Sequence, residues 1–106
     1  MTMVKKPIGV GEVLAEQFME PLGLSQAGLA RAAGISRKHV NEICLGHKRV
    51  TADTALILAR VFGNSPRFWL NIQQRNDLWL ALHTPKRLNR IERAKPIAQE
   101  QLQEAG

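Results

Sequence analysis

The sequence predicts an all-α protein, and three observations support that fold class. The chain has 106 residues, 44% of them hydrophobic, which is enough to close one modest core. Good helix formers such as Ala, Leu, Glu, Gln and Arg dominate, tyrosine is absent, and few runs are β-branched. Apolar residues recur at helical spacing between turn signals. We therefore expect a domain of five helices with a short C-terminal helical extension.

The first predicted helix runs from about Gly11 to Glu20. Leu14 and Phe18 are four residues apart and form its inner face. Pro21 ends the helix, because the residue before a proline is pushed away from helical geometry.

A helix-turn-helix is predicted for residues 25–45. Ser25 is a suitable N-cap for a helix of roughly Gln26–Ala33, and Gly34 follows where the turn needs a positive φ. The second helix of the motif, which is the third of the chain, runs from Arg37 to about Leu45 and must pack back on the first helix of the motif. The residues expected to face inward are Leu29, Ala30, Ala33, Ile35, Val40 and Ile43.

Three further helices complete the predicted fold. The fourth, Ala52–Phe62, is apolar nearly all round, which indicates a central, buried position. The fifth runs from about Pro66 to Leu82. A short basic helix follows Pro85 and reaches about Glu92. The inner stripe of the fifth helix is predicted to contain Phe68, Ile72, Trp79 and Leu82.

We expect a single domain over residues 1–106, with the extension at 84–106. Residues 1–7 are predicted to be a frayed arm, and the last ten residues to be loosely held. The lone cysteine, Cys44, is interpreted as a small buried apolar residue in place of a redox site.

Charge points to a polyanionic partner. The formal net charge is +6 and the sequence pI is about 10.3. Five cations crowd the helix-turn-helix, and a second cluster lies near the C-terminus, over Lys86–Lys95. The five cations are Arg31, Arg37, Lys38, Lys48 and Arg49.

The outer face of the third helix carries the side chains expected to read duplex DNA. N-terminal residues of the second helix of such a motif reach base edges, so Arg37 and Lys38 are candidates, the alternative being a solvated helix end that carries two charges. Ser36, which caps this helix, is also predicted to contact DNA. Asn41 lies one turn further on and can pair with adenine, although it can also be a plain surface amide. Lys48 and Arg49 in the following loop are expected to neutralise phosphates, the alternative being a contribution to solubility alone.

Other classes of function have little support. The histidines and Cys44 lack the spacing of a metal site, and the chain has no Gly-rich phosphate loop or recognisable nucleophile–base set. We therefore expect no enzyme activity, no cofactor and no metal. The chain also shows no long apolar run and no secretory pattern, so a cytoplasmic protein without a membrane partner is expected.

Three segments resemble the HigA antitoxin family of the Cro/repressor-like helix-turn-helix superfamily in order and spacing. They cover roughly residues 8–80 and read GEVLAEQFMEPLGLSQ, LARAAGISRKHVNEICLG and VTADTALILARVFGNSPRFWLNIQ. The resemblance implies a small all-α dimer that binds operator DNA, represses its own promoter and inactivates a HigB-like, mRNA-cleaving toxin. It also places Gln26 near a DNA phosphate, where a helix N-terminus favours an anion.

The family resemblance also suggests protein contacts. Glu12, Glu16 and Glu20 recur every four residues and could dock a basic toxin, although such a stripe is more often a solvated face. Trp69 and Leu78 are predicted at a homodimer seam.

Gly28 departs from the family pattern, in which an acidic residue is common at that place. A glycine inside a helix costs about 1 kcal/mol relative to alanine. We interpret it as a weak spot or as a close approach of another backbone.

Two other functions remain open from the sequence. One is an orphan transcriptional regulator that has no toxin, with identical DNA chemistry. The other is a protein-interaction module whose motif face binds protein instead of DNA.

Overall fold

Six helices follow one another along residues 5–97, which are the residues that the computed structural model describes. No strand occurs within that range, so the predicted all-α class is confirmed. Residues 1–4 and 98–106, which include most of the predicted frayed arm and loose tail, lie outside the described residues. The helices are α1 (Val10–Glu12, continued by a π-helical stretch at Val13–Met19), α2 (Gln26–Ala33), α3 (Arg37–Cys44), α4 (Ala52–Phe62), α5 (Pro66–Leu82) and α6 (Pro85–Glu92).

The first helix differs from the ordinary α-helix that the sequence predicts. After one turn the helix widens, and a backbone N–H then donates to the carbonyl five residues earlier instead of four. The backbone N–H of Glu20 donates to the carbonyl of Ala15 at 2.9 Å, and that of Leu24 donates to Met19 at 2.9 Å. The wider turn carries the chain directly into the connector before α2.

Side-chain caps define the helix-turn-helix as predicted. The hydroxyl of Ser25 accepts a hydrogen bond from the backbone N–H of Gly28 at 3.0 Å, and Ser36 accepts from His39 at 3.0 Å. Gly34 ends α2 with a φ of 69°, a conformation that side chains bearing a Cβ rarely adopt. These three residues fix where both helices start and how the turn reverses the chain.

The predicted core residues of the motif are buried. Leu29 and Val40 are 0% exposed, and Ile43 is 1% exposed. Ala33 and Ile35 are half-buried and pack against the same core. The core therefore covers one side of α3, and the opposite side of this helix is exposed to solvent.

The expected inner stripe of α5 was wrong in part. Trp69, Ile72 and Gln73 face the core, while Phe68 is 37% exposed, Leu82 is 36% exposed and Trp79 is only half-buried. The prediction selected apolar residues for the inside. Gln73 is nevertheless turned inward, since its side chain hydrogen-bonds a backbone N–H there.

The composition of helix α4 suggested burial on all sides, but the helix is buried on one face only. One face is covered, and Leu56 on the other face is 56% exposed. The buried residues of this helix are Thr54, Ala55, Leu58 and Ala59.

An unpredicted close approach joins α1 to α3 at Gly11. A Cβ built on Gly11 would lie 2.1 Å from the carbonyl oxygen of Ile43 and 2.7 Å from that of Cys44. Only glycine fits there, because backbone atoms cannot move aside as a side chain does. At Gly28, the neighbours of such a Cβ are side-chain atoms, of Leu24 at 3.1 Å and of Ser25 at 3.2 Å. Of the two interpretations of Gly28, the close approach of another backbone is therefore not found.

Cys44 is half-buried beside Met19, with 3.9 Å between the two sulfur atoms. Burial raises the pKa of its thiol, which opposes formation of the reactive thiolate. Among residues 5–97, no helix is both long enough and apolar enough to cross a membrane.

Candidate nucleic-acid interface

The outward face of α3 is open, as the sequence predicts. Arg37 and Lys38 are exposed at the start of the helix, and the Lys38 side chain is 85% exposed. Val40 and Ile43 anchor the helix from the core side. The ammonium of Lys38 lies 3.9 Å from the carboxylate of Glu42 one turn later, a long and solvated pair that leaves the cation available.

Two predicted DNA-binding residues from different helices meet directly. The side-chain amide of Gln26 donates a hydrogen bond to the side-chain oxygen of Asn41 at 3.2 Å. Asn41 is exposed and Gln26 is half-buried, so the pair lies at the rim where α2 meets α3. The contact leaves the amino group of Asn41 as the free donor toward solvent.

Ser36 is exposed and acts first as a helix cap. Its oxygen accepts from the backbone N–H of His39, so its hydroxyl hydrogen stays available for an outside acceptor. The uncapped N–H groups of the first helical turn and the positive end of the helix dipole favour an anion at the same point. Ser36 thus combines a structural role with a position suited to a phosphate oxygen.

The basic loop after α3 is held against α5 by a polar network. The backbone N–H of Val50 donates to the side-chain oxygen of buried Gln73 at 2.8 Å, and Gln73 in turn donates to Asp77 at 3.0 Å. Asp77 also accepts two hydrogen bonds from the guanidinium of Arg49, at 2.5 and 3.4 Å. The loop is therefore fixed beside α3.

Arg49 consequently has a role that the sequence did not predict. Its guanidinium is paired with Asp77, while its side chain is still 64% exposed, so its contact with phosphate stays a prediction. Lys48, in contrast, has no salt-bridge or side-chain hydrogen-bond partner among residues 5–97 and is exposed. The Lys48 cation is therefore open to solvent, whereas Arg49 holds the loop in place.

The Arg49–Asp77 pair also sets the protonation of its carboxylate. The hydrogen bond from Arg49 lowers the pKa of Asp77 below its ordinary value, which burial opposes and Gln73 and Arg87 assist. The pair remains ionised at neutral pH. Its bidentate geometry is the arrangement that arginine and carboxylate favour.

A second clamp on α5 holds the segment before α1. The side-chain oxygen of Asn76 accepts from the backbone N–H of Val10 at 3.0 Å, and its amino group donates to the carbonyl of Ile8 at 3.0 Å. Sequence analysis missed the roles of Gln73, Asn76 and Asp77. The available signal was the polar block that interrupts an otherwise amphipathic helix, which is typical of side chains that satisfy buried backbone groups.

The predicted protein-contact residues have different positions. Glu12, Glu16 and Glu20 are all exposed, and Glu12 also accepts a hydrogen bond from the backbone N–H of Gly9 at 3.3 Å. Trp69 is 0% exposed and donates its indole N–H to Asn64 at 3.0 Å.

The assignment of Trp69 to a dimer seam is therefore corrected. Trp69 packs within a cluster of aromatic rings, so its large apolar surface is buried inside the chain and is not available at an interface. Leu78 is 59% exposed on α5, so it is free to contact a second chain. The rings around Trp69 are those of Phe18, Phe62 and Phe68.

Two capped helices joined at Gly34, with an exposed basic face on the second, define a helix-turn-helix protein. Over residues 16–69, the chain matches the Helix-turn-helix family HTH_3. The chain belongs to this family, and its relatives include HigA antitoxins, which confirms the resemblance seen in the sequence.

Three similar proteins illustrate that relationship. Antitoxin HigA-1 of Vibrio cholerae is 44% identical over 71% of this chain and 70% of its own length. An uncharacterized HTH-type transcriptional regulator of Haemophilus influenzae is 39% identical over 89% of this chain and 88% of its own. The solved structure of Pseudomonas aeruginosa antitoxin HigA with the higBA promoter is 34% identical, covers 87% of this chain and 99% of that one, and superposes with a TM-score of 0.78.

Proposed function

We propose that this chain is a HigA-type antitoxin that binds operator DNA as a dimer, represses its own operon and inactivates a small HigB-like toxin. The observation that carries the DNA-binding part is the open face of α3, where Arg37, Lys38 and Asn41 are exposed together. A relative of the same fold has been solved with promoter DNA, which supports DNA binding by this chain.

In this proposal, the residues divide into two groups by what they contact. Arg37 and Asn41 supply sequence choice, because arginine can grip guanine through two hydrogen bonds and an asparagine amide can pair with a base edge. Gln26, Ser36, Lys38 and Lys48 contact phosphates, which fix the register of the protein on the duplex. Arg49 acts indirectly by holding the loop that carries Lys48.

Dimerisation would follow from an exposed apolar face on α5. Leu78 is 59% and Leu82 is 36% exposed, and the two residues lie one helical turn apart. A Leu78→Asp variant should sediment as a monomer and bind a two-half-site operator much more weakly. Leu22→Asp, which alters a leucine that is 67% exposed in the connector before α2, is the matched control and should stay dimeric. Retention of the dimer in both variants would move the seam elsewhere.

Toxin binding is assigned to the acidic stripe of α1. Its three carboxylates are solvent-exposed on a chain of net charge +6, so this stripe is a local exception to the overall charge. Glu16→Lys with Glu20→Lys should weaken binding of the toxin by roughly tenfold or more, because like charges brought together at an interface repel, and should leave DNA binding intact. Asp53→Lys with Glu92→Lys reverses two exposed acidic residues elsewhere and should leave toxin affinity unchanged. Equal affinity in both double variants would remove the assignment.

A second candidate function is a transcriptional regulator without a toxin, and the Haemophilus influenzae relative favours it. One experiment separates the two. The chain is co-expressed with the reading frame next to it, and both co-purification and growth are measured. An antitoxin should form a stable complex and restore growth arrested by the neighbouring protein. Promoter binding with no complex and no rescue would leave the regulator as the function.

A further inference from the structure

Helix α6 presents a concentrated cationic surface that the helix-turn-helix does not use. Residues 85–95 contain five cations and one acid, Glu92. Lys86, Arg90 and Arg93 are separated by four and three residues, so they share one face, and all three are exposed. Together with Arg87, they line a shallow groove of about 270 Å³. All of the residues that line this groove are positively charged.

This surface is continuous with the basic loop that follows α3. Arg87 lines the α6 groove and also a larger cavity of about 700 Å³, which Lys48 and Arg49 line as well. Arg87 is close enough to Asp77, the partner of Arg49, to help to lower the pKa of that carboxyl. A line of cations therefore runs from the loop after α3, through Arg87, onto α6.

We propose that α6 is a second DNA-contacting element, whose cationic face binds backbone phosphates that flank the segment read by α3. The proposal rests on the proposed DNA-binding function and names a further surface for it. Charge complementarity and continuity with the α3 loop identify the occupant as the duplex backbone. The face from Lys86 to Arg93 is about 10 Å long at 1.5 Å per residue, and phosphates on one strand advance about 3.4 Å along the axis. This length covers about three such steps, so each of the three cations can face a phosphate of the same strand.

The consequence is an affinity term that depends on duplex length and on salt, but not on sequence. Each neutralised phosphate releases condensed counterions and adds about 0.9 to the slope of log K against log salt concentration. Contacts made by α6 should appear only on duplexes long enough to reach it.

The test uses the full chain and two duplexes that share one operator sequence, selected from random DNA. One duplex ends at the operator, and the other continues for about ten base pairs on each side, roughly one helical turn. Arg90→Gln with Arg93→Gln should flatten the salt slope by about 2 per protomer on the long duplex. On the short duplex, the slope should not change.

The control removes two cations from a different surface. Arg60→Gln with Arg67→Gln alters exposed arginines of α4 and α5 that line neither groove, and its slope should match the wild type on both duplexes. Arg90→Lys with Arg93→Lys keeps both charges and should restore the slope. Thermal melting of each variant confirms folding.

Three results would overturn the proposal. They are an unchanged slope in Arg90→Gln with Arg93→Gln, an equal loss in the control variant, and an equal loss on both duplexes. An unchanged slope would mean that the cationic face of α6 is only solvated. An equal loss in the control would mean that total charge alone matters, and an equal loss on both duplexes would place the contacts of α6 inside the operator. Failure of the wild-type chain to bind any duplex would instead contradict the proposed function itself.

Discussion

Gln26, at the start of α2, donates a hydrogen bond to the side-chain oxygen of Asn41, in the middle of α3, over 3.2 Å. This bond joins the two helices of the motif on the side that faces solvent. It also orients the Asn41 amide, because its oxygen already has a donor and its amino group points away. The first helix of the motif thus controls which hydrogen bonds the recognition helix can offer.

A double-mutant cycle on this pair should reveal the coupling in DNA binding. Gln26→Ala and Asn41→Ala should each weaken operator binding, and the double variant should lose less than the sum of both effects. Residues in direct contact couple by about 0.5 kcal/mol or more. Fluorescence anisotropy with one operator duplex measures all four affinities. A control cycle of Gln26→Ala with Lys48→Ala, which share no hydrogen bond, should be additive, and additivity in the Gln26–Asn41 cycle would mean that the bond is irrelevant on DNA.

Arg37 and Lys48 should fail in different ways when truncated. Arg37→Ala should cost about 1–3 kcal/mol on the operator and little on random DNA, because it removes a contact to a base. Lys48→Ala should weaken both and flatten the salt slope by about one unit, because it removes a phosphate contact. Titrations over a range of salt concentrations distinguish the two patterns. An equal loss on operator and random DNA for Arg37→Ala would refute its role in sequence choice.

Gly11→Ala should destabilise the fold more than Gly28→Ala. The new methyl group at residue 11 meets two carbonyl oxygens of α3, and overpacking of this kind costs about 1–3 kcal/mol. At residue 28, it meets a flexible leucine side chain and a cap hydroxyl, and the higher helix propensity of alanine offsets the crowding. Urea denaturation gives the free energy of unfolding of each variant. The same loss in both would show that the α1–α3 approach relaxes without cost.

The Arg49–Asp77 pair should make stability depend on pH in acid. Because the folded-state pKa of Asp77 is lowered, its contribution is complete above about pH 4, the ordinary aspartate value, and is lost as pH falls through the folded pKa. Asp77→Asn should therefore lower stability near pH 7, by up to about 1 kcal/mol for an exposed pair. The gap from the wild type should close below pH 4. Thermal melts from pH 7 to pH 2 measure it, and a gap that stayed constant would exclude ionisation as its cause.

Local signals allowed most of the helices to be predicted. Ser25 and Ser36 cap α2 and α3 where the sequence indicated, and Gly34 ends α2. These features depend on a few neighbouring residues, so they can be read without knowledge of the fold. The exposed positions of Arg37 and Lys38 follow from the same local periodicity, because their opposite face carries Val40 and Ile43.

The errors fall where distant segments meet. Trp69 was assigned to a dimer seam, yet it is a core residue, since Phe18 from α1 and Phe62 from α4 surround it. Arg49 pairs with Asp77, which is 28 residues away, and no signal in the sequence indicated that contact. In both cases, the partner is set by packing and not by sequence spacing.

The amino-acid sequence by itself determined the helical class, the caps, the turn at Gly34 and the cationic, amide-bearing face of α3, because each depends on side chains within a few residues of one another. Only the tertiary structure decided that Gly11 lies against the backbone of α3 and that Gln73 and Asn76 bind backbone N–H groups. It also decided that Arg49 ties its loop to α5 through Asp77. Those outcomes depend on which backbone groups remain unpaired once the helices pack, and that is a property of the assembled chain.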